Sequence, residues 1–131
     1  MRPNAIRWEV PPLSTSSVQA AILYRDGIAA LVSGISSAEP LLTEAVELDR
    51  AFLLADVGLS VCRVAGGGHY LASTVRRGDV QRGERQHAEV VDTMLGGDGP
   101  RGVELRREHL SEYPGDLLIV WLPMIGPAVA R

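Results

Sequence analysis

The residues best suited to chemistry in this 131-residue sequence are three histidines, His69, His87 and His109, and a lone cysteine, Cys62. Glu84-x-x-His87 and His109-x-x-Glu112 each set an imidazole and a carboxylate three residues apart, on one face of a helix. Helical bundles build carboxylate-bridged metal sites from such pairs, drawing further carboxylates from facing helices. The plainer expectation is that His87, which opens an apolar stripe, packs or caps, and that the histidines are core or solvated side chains. No metal, no cofactor and no catalytic residue is therefore assigned from the sequence. Cys62 lies in the run Leu59-Ser60-Val61-Cys62, where a small buried thiol is expected rather than a nucleophile. A single cysteine also excludes a fold stapled by internal disulfides.

The charged residues narrow the possibilities further. All 13 basic residues are arginine, against 16 acidic ones, for a net charge of -3. Without lysine there is no Schiff base and no Walker-type phosphate lysine. Arg76-Arg77, Arg82 and Arg85 form the one basic cluster, with Arg106-Arg107 as a neighbour. Arginine forks there could grip carboxylates or phosphates of a partner, although a solvated face paired with Asp79, Glu84 and Glu89 is the plainer reading. Net negative charge and few aromatics argue against a nucleic-acid surface. Gly66-Gly67-Gly68 lacks the spacing of a dinucleotide loop, and Gly96-Gly97-Asp98-Gly99 reads as a turn between helices.

These residues have to be positioned by helices, because no segment shows sustained period-2 alternation. Residues 1–15, with Pro3, Pro11 and Pro12, read as an extended N-terminal arm carrying Trp8 and Leu13 as anchors; residues 16–131 read as a single helical domain. Ser16 or Ser17 caps a helix from Val18 to about Gly34. Ser36 or Ser37, Glu39 and Pro40 start a second through Asp49, and a third apolar segment runs from Arg50 to the glycine triplet. His69 to Leu95 is expected to hold two helices or one kinked helix. Pro100 opens the next, which stops before Pro114, and Asp116 caps a final helix from Leu117 to Leu122. Six or seven helices joined by short Gly/Pro turns indicate an all-α fold of antiparallel helix hairpins.

Helix pairs of this length invite a repeat near 34 residues. Ala38-x3-Leu42-x2-Ala45-Val46-x-Leu48-Asp49 supplies small residues where paired axes cross. The second unit has Gly97 at the turn, Gly102 at the small position and Leu110-x2-Tyr113-Pro114-x-Asp116-Leu117 at its close. These residues resemble the tetratricopeptide repeat family. His87-Ala88-x9-Gly97-Asp98 followed by Glu108-x-Leu110-x2-Tyr113-Pro114-x-Asp116-Leu117-Leu118 is most similar to the N-terminal portion of its protein 38-like branch, and Ala45-Val46-Glu47-Leu48-Asp49-x2-Phe52-x-Leu54-Ala55 looks like an earlier repeat. The resemblance spans residues 18–122 and implies a right-handed helical array that acts as a scaffold for protein contacts, with no chemistry to carry over. Arg106 stands where a large or aromatic residue is usual, and Arg50 where a proline is.

Leu117 to Ile125 is apolar on all sides, and a helix of that kind is buried from both sides. The sequence therefore predicts a non-enzymatic interaction module that binds a protein partner or itself, as a homodimer. Its contact face would be Leu118, Trp121, Leu122, Met124 and Ile125, with Arg76 and Arg77 at the rim. Otherwise the N-terminal arm folds over this face. The alternative function is a small helical enzyme or binding protein that holds an apolar molecule between helices, with His87, His109 or Glu108 as its polar group. A deep pocket holding a histidine and a carboxylate would favour this alternative; a flat exposed face around Trp121 would favour the first. With no signal-peptide pattern and no apolar run of ~20 residues, a cytoplasmic chain without membrane contact is expected.

Overall fold

A computed structural model describes residues 11–125. Among them the chain is all-helical, with no strand. Its helices are α1 (Val18–Val32), α2 (Ala38–Leu48), α3 (Leu53–Ala65), α4 (Arg82–Leu95), α5 (Gly99–Glu112) and α6 (Leu117–Trp121), followed by a 3-10 turn, Leu122–Met124. The proposed anchor Trp8 and the rest of residues 1–10 lie outside the described residues, as do residues 126–131.

Local chemistry sets the helix ends. The Ser17 hydroxyl accepts the Ala20 amide at 3.0 Å and starts α1. At its far end the Gly34 amide donates to Leu31 O and the Ile35 amide to Ala30 O, which requires the left-handed φ of 73° at Gly34. The same exit ends α3 at Gly67 and α4 at Gly97. Both glycine runs thus serve as helix stops. Asp98 then accepts the Arg101 amide at 3.2 Å, and Pro100 sits in the first turn of α5. Ser37 stands at the N-cap position of α2, as the start signal predicted, but its side chain makes no capping bond.

Helices α1 and α2 pack as one hairpin and α4 and α5 as another, with α3 between them. Each hairpin has a close approach made by glycine. A Cβ on Gly102 would lie 3.0 Å from Met94 Cα, and one on Gly27 would lie 2.7 Å from Leu42 Cγ. The first was expected from the sequence; the second was not. Helix α3 is buried on most sides through Leu53, Leu54, Ala55, Val57, Leu59, Val61 and Val64. Phe52, just before it, meets Tyr24 with ring centroids 5.4 Å apart. Short α6 contacts α1, α4 and α5, and so joins the two hairpins.

The segment from His69 to Gln81, expected to be largely helical, is irregular instead. Ser73 takes the Val75 amide at 3.1 Å, a local bond that competes with helical pairing, and β-branched Thr74 and Val75 and then Gly78 add to the cost. The segment is held from outside: the Tyr70 hydroxyl donates to the Asp92 carboxylate, and Arg77 pairs with Asp92 at 3.0 Å. No helix among the described residues is long and apolar enough to cross a membrane.

Candidate functional site

Three helices bring His87, His109 and Asp116 together. His87 lies in the second turn of α4, His109 in the last turn of α5, and Asp116 at the N-cap position of α6. All three are buried, with exposures of 0%, 1% and 5%. Asp116 Oδ2 sits 2.8 Å from His87 Nδ1 and 2.7 Å from His109 Nε2. The rings meet edge-on at 6.1 Å, and Tyr113 packs 5.2 Å from His109. Gln86 Oε1 lies 3.1 Å from His109 Nδ1, whereas His87 Nε2 is buried without a hydrogen-bond partner among the described residues.

Asp116 was expected to cap the last helix. Its position is the cap, yet its side chain makes no capping bond, because the carboxylate turns inward to the imidazoles. A missing cap costs about 1 kcal/mol, so the two charge-assisted bonds outweigh it. Burial by itself would raise the Asp116 carboxyl; the His87 and His109 rings overcome that and hold it well below the usual carboxylate range.

The glutamates expected beside the histidines go elsewhere. Glu84 is fully buried and accepts the backbone amide and the hydroxyl of Ser14, the latter at 2.8 Å. Burial pushes its carboxyl above the ordinary value, although the Ser14 donors pull the other way. Glu112 pairs with Arg82 near the surface. Neither i, i+3 pair comes together; the histidines instead join one cluster centred on Asp116. The third histidine, His69, is exposed and lies outside it.

Beside the cluster is a cavity of about 240 Å³. Leu13, Ile28, Leu54 and Leu118 form its apolar wall, and Tyr24 and Asp116 are its polar groups. Burial, then the negative charges of Asp116 and Glu84, raise the Tyr24 phenol well above its ordinary value and keep it neutral. Exposed Arg25 stands at the mouth. The segment 11–17 forms one side and is pinned through Ser14 to Glu84 and through the Thr15 hydroxyl to Asp49 at 2.6 Å. A Cβ on Gly83 would lie 2.7 Å from Pro11 Cβ and 3.0 Å from Tyr113, so only glycine lets this segment lie so close.

Known proteins add nothing to this geometry. No family model matches the chain, and neither a curated protein nor a solved structure is significantly similar to it.

The expected contact face is divided by the fold. Leu118, Leu122 and Ile125 are 1%, 0% and 9% exposed and belong to the core, so they are not free to meet a partner. The rule that an all-apolar helix is covered on both sides holds, but α1, α4 and α5 supply much of the cover. Trp121 is half-buried and Met124 is exposed, together with Leu117 and Val120. The arginines are dispersed as well. Arg76 is exposed and Arg77 is bound to Asp92, on the loop before α4 and not on α6. Arg85 donates to Val80 O, and Arg106 donates to Ile119 O at 2.9 Å and Val120 O at 3.1 Å, tying α5 to α6. Glu108 is exposed and away from the cavity lining. Cys62 is half-buried, and burial raises its thiol, as suits a packing residue.

Proposed function

We propose that this chain is a small helical binding module that takes a compact, mainly apolar molecule with a hydrogen-bond donor into the cavity beside Asp116. Asp116 itself supports this reading. It is a cavity-lining carboxylate whose Oδ2 is fixed by two imidazoles, while its Oδ1 accepts no hydrogen bond from the described residues. A polar atom held in place before binding, within apolar walls, is the ordinary anatomy of a small-molecule site. A volume of about 240 Å³ is below that of drug-sized pockets and suits a single ring or a short branched chain. The Tyr24 hydroxyl and Arg25 provide for a second polar group nearer the mouth. Binding is read rather than turnover, because the one carboxylate inside is already held by two rings.

The test is protein-observed NMR with a panel of ring amines, phenols and ring carboxylates. Saturable shifts at Ile28 and Leu54 with the donor-bearing members, abolished by a space-filling Leu13→Trp, are expected. No saturable shift, or shifts unchanged in Leu13→Trp, would overturn it.

A second reading is favoured by the outer side of α6, where Leu117, Val120 and Met124 are 45%, 44% and 75% exposed. On it the chain is a tetratricopeptide-like scaffold in the cytoplasm, meeting a protein or a second copy of itself through these residues. The close α4–α5 crossing at Gly102 is consistent with such a repeat. Light scattering of wild type and Val120→Arg/Met124→Glu decides it: a dimer that becomes monomeric supports self-association, and a monomer in both removes it.

A further inference from the structure

We propose that His87, His109 and Asp116 bind a divalent transition-metal ion of the zinc or cobalt kind. Nδ1 of His87, Nε2 of His109 and a carboxylate oxygen of Asp116 all lie within 4.8 Å of one another. Two imidazoles and one carboxylate suit zinc, cobalt or nickel better than the hard cations magnesium and calcium, which prefer all-oxygen sets. Three protein ligands leave a coordination position for water or an added ligand. Asp116 belongs to both the cluster and the cavity lining, which gives the buried site an entry path.

The placement of the three donor atoms and the outer partner of His109 carry the argument. Gln86 Oε1 lies 3.1 Å from His109 Nδ1, and an amide can serve that nitrogen in either ring tautomer. His109 Nε2, 2.7 Å from Asp116 Oδ2, hydrogen-bonds to it in the metal-free protein and becomes a ligand once its proton moves to Nδ1. A cation then takes that proton's place between the ring and the carboxylate. Metal-binding histidines commonly have this arrangement, with the far nitrogen donating to a neighbouring oxygen and the near one free to ligate. Ligation through His87 Nδ1 leaves that ring's Nε2, which is buried and has no hydrogen-bond partner among the described residues, to carry the ring proton. A tetrahedral ion with bonds of about 2.0–2.1 Å holds neighbouring donors about 3.3 Å apart. Each ring nitrogen, now 2.8 or 2.7 Å from Asp116 Oδ2, therefore has to move out from it by about half an ångström, and the two nitrogens, within 4.8 Å of each other, have to adjust their spacing to match. The three side chains come from α4, α5 and the start of α6.

The experiment adds Co²⁺ to the full chain after chelator treatment, with no cavity ligand, and reads visible d–d absorption and histidine NMR signals. Expected are a saturable one-to-one tetrahedral spectrum, its displacement by Zn²⁺, and paramagnetic shifts at His87 and His109 but not at His69. Asp116→Asn should weaken binding at least tenfold, while His69→Ala should leave it unchanged. If Asp116→Asn fails to fold, the wild-type paramagnetic shifts decide alone. No tetrahedral spectrum, or shifts centred on exposed His69, would overturn the site. Because no cavity ligand enters this assay, its failure would leave the cavity reading standing.

Discussion

The two hairpins are built on different chemistry. Around α1–α3 the interior is almost wholly apolar: Leu42, Phe52, Leu53, Leu54, Val57 and Val61 are all close to fully buried. Around α4–α6 the same degree of burial extends to Glu84, His87, His109 and Asp116. An apolar core is held by volume, and a same-sized replacement costs little. A buried polar cluster is held by pairing, and removing one partner leaves the others desolvated and unsatisfied. The difference teaches that the α4–α6 half is where single polar atoms decide the structure, and that is also where the cavity and the cluster meet.

The largest effects expected are two deletions of unequal size and similar cost. Phe52→Ala should destabilise by about 3–5 kcal/mol through the space it leaves. Asp116→Ala, which removes far less volume, should also cost about 3–5 kcal/mol, because two buried imidazoles lose their shared acceptor. Urea unfolding followed by circular dichroism measures both; an Asp116→Ala cost under about 1 kcal/mol would break the comparison. Leu53→Met should cost less than about 1.5 kcal/mol.

The same contrast should appear in pH. The folded Asp116 carboxyl is depressed, so its contribution is complete above about pH 4, the ordinary carboxylate value, and is lost as pH falls below it. Stability of the wild type should therefore fall more steeply on acidification than that of Asp116→Asn, as read from urea midpoints along a pH series. Glu84 works in the opposite sense: its raised carboxyl makes stability decline as pH rises from about 4.3. Comparison with Glu84→Gln separates the two.

Backbone effects should not distinguish the halves. Gly34→Ala in the first hairpin and Gly97→Ala in the second both force a side chain to positive φ, and each should cost about 1–2 kcal/mol by urea unfolding. Smallest of all, Arg63→Ala and Arg101→Ala break exposed pairs with Glu39 and Glu104 and should each change stability by less than about 1 kcal/mol.

The helix ends were legible because their causes are local. Ser17, Gly34, the two glycine runs and Pro100 act within a few residues and read correctly as starts and stops. The 69–81 segment was misread because its short apolar stripe mimics a helix, while Tyr70 and Arg77 find their partner on α4, at Asp92. The cluster was half legible. His87 and His109 stood out by type, but Asp116 is 29 residues from one and 7 from the other, across the Pro114-Gly115 turn. Only the packing of α6 between the hairpins turns its carboxylate inward. A signal was present in the buried-looking stripe that His87 opens, where an imidazole needs a partner, but spacing alone pointed to Glu84, which Ser14 had already taken.

The central claim is that Asp116 holds both imidazoles beside the cavity. Proton–nitrogen NMR of the histidine rings in the metal-free protein tests it most directly. The account predicts slowly exchanging, downfield ring N–H signals at His87 Nδ1 and His109 Nε2, both lost in Asp116→Asn, with His69 exchanging freely. Ring protons at His87 and His109 that exchange as fast as those of His69, or that are unchanged in Asp116→Asn, would contradict it.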